Sequence, residues 1–313
     1  MDAIRTEALT RSFADLKAVD GLGIAVAPGE IFALVGPDGA GKTTTLRMLA
    51  AILDPTSGDA WVAGRHVVRE AVGVQEAIGY MSQRFGLYPD LTVQENIDFF
   101  ADIQCVSRKV RRERGAVLLE MAGLGPFQRR MAGNLSGGMK QKLGLVCALI
   151  HGPRVLLLDE PTNGVDPVSR RDFWRILYGL LREGVAVLVS TSYLDEAERA
   201  SRIALIHEGR CISQGTPEEV RRRSGASVLE IRTDRPREAA AQLRDHLPGA
   251  IASLFGRSVH LAGPSAGEDG PRVRALLVAC GIQVQDVREI EPSLEDVFIS
   301  AVTAAGGGRR AGH

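Results

Sequence analysis

GPDGAGKTT, residues 36–44, is the segment from which the interpretation of the whole chain starts. It matches the pattern Gly-x-x-x-x-Gly-Lys-Thr, whose glycines let the backbone wrap closely around phosphate groups. The apolar run Ile31 to Val35 before it is typical of a buried parallel strand, and Thr43 to Ile52 after it has the composition of a helix. Strand, glycine-rich turn and helix together predict a phosphate-binding loop rather than a glycine turn without a ligand.

Individual positions of this loop have predicted roles. Lys42 is expected to reach the β- and γ-phosphates of a nucleotide, and the Thr43 hydroxyl is expected to ligate Mg²⁺. Asp38 adds a carboxylate near the phosphates, which is acceptable if it points to solvent. The residues predicted to bind the nucleotide here are Gly36, Asp38, Gly39, Ala40, Gly41, Lys42, Thr43 and Thr44.

Composition narrows the classes of protein that the chain can represent. Its 313 residues are 45% hydrophobic, which predicts one large and one small globular domain. The 38 basic and 38 acidic residues cancel, so we expect no nucleic-acid partner. No apolar run approaches the ~18 residues of a membrane span, and the N-terminus lacks a signal-peptide core. The cysteines, all isolated, are expected to be free thiols in a reducing compartment, which predicts a cytoplasmic protein.

Strands separated by helices predict a mostly parallel sheet with both faces covered. Residues 1–30 carry glycines and partial alternation, and they predict an antiparallel sheet at the edge of this core. Residues 84–134 predict a helical insertion, because Thr92 and Glu95 form a capping box that begins an amphipathic helix. The expected fold class is therefore α/β, a P-loop NTPase (RecA-like) core over residues 1–222 with an antiparallel β subdomain and a helical insertion.

Composition changes after a run of arginines at 221–223. Strand-like and helix-like segments then alternate, which predicts a small C-terminal α+β domain over residues 223–303 with a core of its own. The glycine-rich residues 304–313 predict a disordered tail.

An acidic pair follows a second buried strand. Val155 to Leu158 is apolar and leads directly into Asp159 and Glu160. A carboxylate at the end of such a strand faces the crevice in which ligands of α/β sheets bind. We expect Asp159 to hold Mg²⁺, directly or through water, and Glu160 to polarise an attacking water molecule. The alternative, an ordinary acidic turn, is disfavoured by the phosphate loop elsewhere in the chain.

Leu135-Ser136-Gly137-Gly138 begins a helix and offers a hydroxyl and exposed backbone N–H groups to an anion. Two phosphate-binding segments serve one nucleotide only if they act from opposite sides. With the motifs in this order, residues 4–220 resemble the ATP-binding cassette family of ATPases. The resemblance is carried by the phosphate loop, Gln83 after a strand, LSGGMKQK from Leu135, LLLDEP around Asp159, and Asn163-Gly-Val-Asp166.

The resemblance implies a head-to-tail dimer, formed with a second copy or with a related cassette, that holds ATP between its subunits. Ser136, Gly137 and Gly138 of one chain would contact the γ-phosphate held by Lys42 of the other. Gln83 would contact both Mg²⁺ and the attacking water.

Two further residues acquire roles only through the resemblance. Asp166 would cross the dimer interface to the opposite site. Phe13, which by itself reads as a residue packed at a sheet edge, matches the aromatic that stacks on adenine in the family.

The segment PSLEDVFI, residues 292–299, together with the helical insertion resembles the exporter (ABC-2 type) subfamily of drug and lipid efflux ATPases. That subfamily pairs with a separate integral membrane permease, which implies a position on the inner face of the cell membrane. The alternative is that PSLEDVFI is only a capped amphipathic helix from Ser293 to Ser300.

One position departs from the family pattern. Where the family has a histidine that contacts the γ-phosphate, this chain has Ser192, and a serine hydroxyl is shorter and carries no positive charge. Loss of such a contact costs roughly 2–4 kcal/mol of transition-state stabilisation. We therefore expect catalysis by Lys42, Gln83, Glu160 and Ser192 to be slow in the isolated chain. A regulatory subunit with impaired hydrolysis, or a cassette ATPase outside transport, remain the alternatives.

Overall fold

The computed structural model describes residues 2–84, 86–223, 227–247, 250–263 and 270–310. The chain forms two compact units, Met1–Ser213 and Gln214–His313. Strands, in chain order up to the unit boundary, are β1 (Ile4–Phe13), β2 (Leu16–Leu22), β3 (Ala25–Val26), β4 (Ile31–Val35), β5 (Ser57–Val62), β6 (Arg65–His66), β7 (Ile78–Met81), β8 (Val155–Asp159), β9 (Ala186–Thr191), β10 (Arg202–His207) and β11 (Arg210–Gly215). The α-helices of the first unit are α1 (Lys42–Leu49), α2 (Ala71–Ala77), α3 (Val93–Ile103), α4 (Arg108–Met121), α5 (Gly137–Leu149), α6 (Pro167–Leu181) and α7 (Leu194–Ala197).

The central sheet has the strand order β11-β10-β4-β9-β8-β7, and its strands from β10 to β7 pair in parallel. Every residue of β4, β8 and β9 is buried, as expected for apolar strands covered by helices on both faces. These three strands are neighbours, so their carboxyl ends lie side by side and bring the segments after Val35, Asp159 and Thr191 together. The predicted α/β core is confirmed.

A second, antiparallel sheet has the order β2-β1-β5-β6, and β3 pairs with the start of β1. Apolar side chains of this sheet, among them Ile4, Leu22 and Val62, share one core with Leu34 and Leu157 of the central sheet. The antiparallel sheet is thereby fixed against the parallel core by hydrophobic burial. This confirms the antiparallel subdomain expected from residues 1–30.

Helices α3 and α4 and two short 3-10 turns, Gly125–Phe127 and Ala132–Asn134, lie between β7 and α5. The capping box at the start of α3 is present: Thr92 Oγ1 accepts from the Glu95 N–H at 3.2 Å, and Glu95 Oε2 accepts from the Thr92 N–H at 2.8 Å. A helical segment is thus inserted in the range where it was expected.

The second unit contains α8 (Pro217–Arg223), β12 (Ser227–Thr233), α9 (Pro236–His246), β13 (Ile251–Phe255), β14 (Ser258–Gly263), α10 (Gly270–Ala279), β15 (Val284–Ile290) and α11 (Leu294–Arg310). Its strands form an antiparallel sheet in the order β13-β14-β12-β15. Side chains of α9 and α10, such as Leu243 and Leu277, bury against Ile231 and Leu261 of this sheet. The predicted α+β unit with its own core is confirmed.

Two boundaries differ from those expected. The second unit begins at Gln214 rather than at 223, because α8 packs against α11 and so belongs with the C-terminal unit. The helix α11 continues to Arg310, through most of the range 304–313 that was expected to be disordered; Ala304 and Ala305, good helix formers, precede the glycines. Residues 311–313 lie outside the described range. Among the described residues, no helix combines the length and apolarity required to span a bilayer.

We predict that Leu157→Ala lowers the free energy of unfolding of the first unit by about 2–5 kcal/mol, because Leu157 is fully buried in β8. Urea unfolding followed by tryptophan fluorescence measures this unit, since Trp61 and Trp174 both lie in it. The control is Val72→Ala, at a position that is 70% exposed, which should stay within about 0.5 kcal/mol of the parent. An equal effect of the two substitutions would contradict the assigned core.

Candidate active site

The predicted phosphate loop joins β4 to α1, and close backbone approach explains two of its glycines. A Cβ at Gly36 would lie 2.2 Å from the Ile206 carbonyl oxygen, and one at Gly41 would lie 2.2 Å from that of Ala18. Gly41 also has a φ of 99°, in the left-handed region that disfavours residues with a side chain. The first turn of α1 contains no acidic residue, so its N–H groups face the cleft without a competing carboxylate on that turn.

Lys42 lies at the centre of the site and only 4% of it is exposed. Its ammonium donates to the carbonyl oxygens of Gly36 at 2.7 Å and Pro37 at 3.0 Å. It also donates to Ser192 Oγ at 3.0 Å and forms an ion pair with Glu160 Oε1 at 3.0 Å. A buried ammonium requires such compensation, and each of these partners is an oxygen of the kind that a phosphate can replace.

The carboxylate of Glu160 accepts hydrogen bonds from side chains of several chain segments. Besides the Lys42 ion pair, its carboxylate accepts from Gln83 Nε2 at 3.1 Å, Asn163 Nδ2 at 3.3 Å and Ser192 Oγ at 3.0 Å. Burial by itself would raise the pKa of Glu160, but the hydrogen bond and charge of Lys42, with help from Ser192 and Asn163, outweigh it and lower the pKa below its ordinary value. Its φ of 46° is unusual for a residue with a side chain, which marks a constrained turn.

Asp159 supplies the second carboxylate and is 1% exposed. Its Oδ1 accepts from Thr43 Oγ1 at 3.0 Å and from Ser190 Oγ at 2.7 Å. Its Oδ2 is buried and has no hydrogen-bond partner among the described residues. One carboxylate and one hydroxyl beside a phosphate loop fit Mg²⁺, which binds proteins through few carboxylates and completes its shell with water and substrate phosphates. Among the described residues no group of three or more His, Cys, Asp or Glu forms a metal site, so a site made by protein ligands alone is not indicated.

Lys42, Thr43, Gln83 and Glu160 border one cleft of about 520 Å³, and Asp159 adjoins it through its hydrogen bond with Thr43. Its lining is Phe13, Leu16, Ala18, Asp38, Gly39, Ala40, Gly41, Lys42, Thr43, Thr44, Gln83 and Glu160. Phe13 is 45% exposed and contributes an aromatic ring to the lining of this cleft. The guanidinium of Arg11 lies 4.6 Å from the centroid of that ring. Most residues predicted to bind a nucleotide are thus brought together within one protomer.

The other predicted residues lie elsewhere. Ser136 caps α5 and accepts from the Met139 N–H at 3.3 Å, and Asp166 caps α6 and accepts from the Ser169 N–H at 2.9 Å. The two helix starts are neighbours, because a Cβ at Gly138 would lie 2.4 Å from Ser169 Cβ. Neither Gly137 nor the residues on each side of it line the cleft described above. They form a second surface of the same unit.

Ser190 is a site residue that sequence reasoning missed. It is fully buried, its hydroxyl donates to Asp159, and its Oγ accepts from the Glu160 N–H at 2.9 Å. A polar residue near the end of an otherwise apolar strand is the same signal that identified Asp159, so it was available in the sequence. Asn163, which was assigned only to a motif, contacts Glu160 directly.

We predict that the stabilising effect of the Glu160 carboxylate depends on pH. Because its pKa is lowered on folding, ionised Glu160 stabilises the fold above its ordinary pKa of 4.5, and this effect is lost as the pH falls through the lower folded value. The difference in unfolding free energy between the parent and Glu160→Gln, measured by urea without nucleotide or divalent ions, should therefore stay constant from about pH 7 to about pH 5 and shrink as the pH falls below 4.5. Glu120→Gln, an exposed position, is the control, and a difference that grows on acidification would contradict the assignment.

Comparison with known protein families gives two matches. Residues 19–163 match the family described as ABC transporter, and residues 215–302 match the family described as ATP-binding protein DrrA1-3-like, C-terminal domain. The first match lies within the first unit, and the second lies within the second unit.

Individual proteins agree with these matches. The chain is 43% identical to the probable multidrug ABC transporter ATP-binding protein YbhF of Escherichia coli over 93% of its length, but it spans only 50% of YbhF. It is 36% identical to the daunorubicin/doxorubicin resistance ATP-binding protein DrrA of Streptomyces peucetius over 95% of its own length and 92% of DrrA. The dimeric structure of MJ0796, a bacterial ABC transporter cassette, superposes with a TM-score of 0.62 and 26% identity over 68% of this chain and 98% of that one. The chain therefore belongs to the ABC transporter family, as an ATP-binding protein with a DrrA1-3-like C-terminal domain.

Proposed function

We propose that this chain hydrolyses ATP as the motor subunit of an export transporter, in a dimer of two cassettes that drives a separate membrane permease from the inner face of the membrane. The observation that supports this most strongly is the convergence of Lys42, Thr43, Gln83 and Glu160 on one cleft, with Asp159 hydrogen-bonded to Thr43 beside it. These are the cation, hydroxyl, carboxylates and amide that phosphoryl transfer to water requires.

In the proposed complex the glycine-rich loop and the N-terminus of α1 bind the phosphates through backbone N–H groups, and Phe13 stacks on adenine. Thr43 and Asp159 would hold Mg²⁺, since their oxygens are adjacent and Asp159 Oδ2 has no other partner among the described residues. When bound, Mg²⁺ would neutralise charge that develops on the β- and γ-phosphate oxygens.

Glu160 is the proposed general base. A γ-phosphate that attracts the Lys42 ammonium takes away the cation that now lowers the pKa of Glu160. The carboxylate then becomes a stronger base at the moment when substrate is present. Gln83, whose amide contacts the same carboxylate, is positioned to orient the attacking water and to report the state of the site to a partner.

The dimer is proposed because the chain carries two phosphate-binding surfaces that do not meet within one protomer. Ser136, Gly137 and Gly138 would reach the nucleotide held by a second chain, and Asp166, beside them, would cross the same interface. ATP then links the two cassettes, and its hydrolysis favours opening. The MJ0796 cassette, which has the same core fold, is described as dimeric.

Export is proposed from the relatives and from the C-terminal unit. YbhF and DrrA are named for multidrug transport and for drug resistance, and the second unit matches the DrrA1-3-like family. The match covers only half of YbhF, whereas it covers 92% of DrrA, so DrrA is the relative whose length agrees better with this chain.

Ser192 favours a second candidate, an ATP-binding regulatory subunit with weak hydrolysis. Its hydroxyl lies 3.0 Å from both Lys42 Nζ and Glu160 Oε1, which supports a proposed role for this position beside the γ-phosphate. A neutral hydroxyl supplies less stabilisation of the transition-state charge than an imidazole N–H that can carry a proton.

We predict that Glu160→Gln traps an ATP-bound dimer, because the amide keeps the size of the side chain but cannot accept the proton of the attacking water. Size-exclusion chromatography with ATP and Mg²⁺ should show a dimer for this variant and chiefly monomer with ADP. Lys42→Ala, which lacks the phosphate contact, should stay monomeric with both nucleotides. Rapid turnover by Glu160→Gln would refute its role as the base.

We predict that Ser192→His raises the kcat for ATP hydrolysis at least about tenfold, a smaller change than the roughly 100- to 1,000-fold lost when a single transition-state hydrogen-bond donor is removed. Steady-state phosphate release on the purified chain measures this, with Ser192→Ala as the matched control that should not gain activity. Brisk turnover by the parent together with no gain in Ser192→His would reject both the assigned role and the regulatory alternative.

A further inference from the structure

Glu196, on α7, is a fully buried carboxylate to which no role has been assigned above. Its Oε2 accepts from Thr191 Oγ1 at 3.0 Å, and its Oε1 accepts from Thr162 Oγ1. Arg170 Nε lies 3.2 Å from the same Oε1 and forms an ion pair with it. A charge without contact to solvent is tolerated only when it is paired and hydrogen-bonded in this way.

Each of the two threonines that bond Glu196 belongs to a segment that carries a residue of the proposed reaction. Thr191 ends β9 and directly precedes Ser192. Thr162 follows Glu160 by two residues in the turn after β8. Both threonines are 1% exposed, so their hydroxyls have no water to bond instead. Glu196 therefore joins the two chain segments that place Ser192 Oγ 3.0 Å from Glu160 Oε1.

A second set of contacts, closer to the protein surface, also connects the end of β9 with the turn after β8. The Arg170 guanidinium lies 4.7 Å from the ring centroid of Tyr193, whose hydroxyl donates to Asn163 Oδ1 at 3.4 Å. Asn163 Nδ2 in turn donates to Glu160 at 3.3 Å. These outer groups are exposed or half-buried, whereas the Glu196 contacts are fully buried, so the buried carboxylate is the stronger constraint.

We propose that Glu196 is a positioning residue for ATP hydrolysis: it fixes the end of β9 relative to the turn after β8 and so holds Ser192 and Glu160 in register with each other. This inference rests on the function proposed above. Glu196 reaches neither the cleft nor a nucleotide in it, and it acts only through Thr162 and Thr191. Because small displacements of reacting groups lower rates strongly, loosening this link affects turnover more than ATP binding.

Thr162→Val and Thr191→Val test the inference, because valine keeps the shape of threonine and replaces only the hydroxyl with a methyl group. Glu196→Ala would instead remove the buried carboxylate from all three partners, including the half-buried Arg170, and can unfold the chain. Each valine variant should lower kcat about 10- to 100-fold while the KM for ATP stays within about twofold, since the phosphate loop is untouched. Thr162→Ser retains the hydroxyl and should restore kcat. Asp195→Asn, which alters the exposed neighbour that also contacts Arg170, is the matched control and should behave as the parent.

Hydrogen–deuterium exchange provides a readout that does not depend on turnover. In Thr162→Val the amides of 160–166 and of 190–193 should both exchange faster, while those of the phosphate loop, 36–44, should not change. Faster exchange only around 162, uniform acceleration, or an unchanged kcat in both valine variants would overturn the inference. A parent without any ATPase activity would instead contradict the proposed function, and the exchange result would still decide whether Glu196 couples the two segments.

Discussion

The ammonium of Lys42 is buried, and the arrangement of the site follows from the need to compensate that charge. Carbonyl oxygens of the preceding loop supply part of the compensation, and Glu160 supplies the rest from a different strand. The pair can form only if the ends of β4 and β8 lie close together, which the order β4-β9-β8 provides with one strand between them. The segment after that middle strand places Ser192 between the two charges. The strand order therefore determines whether the charge of Lys42 can be compensated, and with it the arrangement of the site.

In the proposed mechanism, the same cation would connect the substrate with Glu160, the proposed general base. In the present structure the ammonium neutralises Glu160 and lowers its pKa, so the carboxylate is a weaker base. A phosphate competes for the ammonium on favourable terms, because the loop around it provides N–H donors for the anion as well. In the proposed mechanism, the basicity of Glu160 is then linked to occupation of the cleft through a change of partner at the Lys42 side chain.

Outside the cleft, burial determines which polar residues contribute most to holding chain segments together. Asp159, Ser190 and Glu196 are each at most 1% exposed, and each joins chain segments that are distant in sequence. A hydrogen bond in such a place is costly to leave unmade, so it holds its segments more firmly than an exposed pair does. Contacts such as the one between Arg170 and Asp195 on the surface contribute far less. The proposed reactive groups are thus held in place by buried polar side chains that lie outside the cleft.

Much of the fold and of the candidate site was predictable from the sequence, because many of their features depend on residues that are close together in the chain. The phosphate loop, the carboxylates after β8 and the capping box of α3 depend on residues a few positions apart, and so do the apolar strands. The boundary between the units was misplaced because α8 has no local signal for the unit with which it packs. Glu196 was missed because its role depends on a partner 34 residues away. Ser190 had the same local signal as Asp159, but only its contact with Asp159, 31 residues away, shows that it belongs to the site.

The sequence by itself determined the chemistry available to this chain: which groups can bind phosphate, accept a proton or hold a cation. The tertiary structure decided which of them meet, because strand order sets spatial neighbours and is not encoded in spacing along the chain. It gathered Phe13, Lys42, Gln83 and Glu160 at one cleft and left Ser136 and Asp166 on another surface. It also gave Lys42 the buried position in which its charge controls its neighbour, since the effect of a charge depends on the solvent that surrounding atoms exclude.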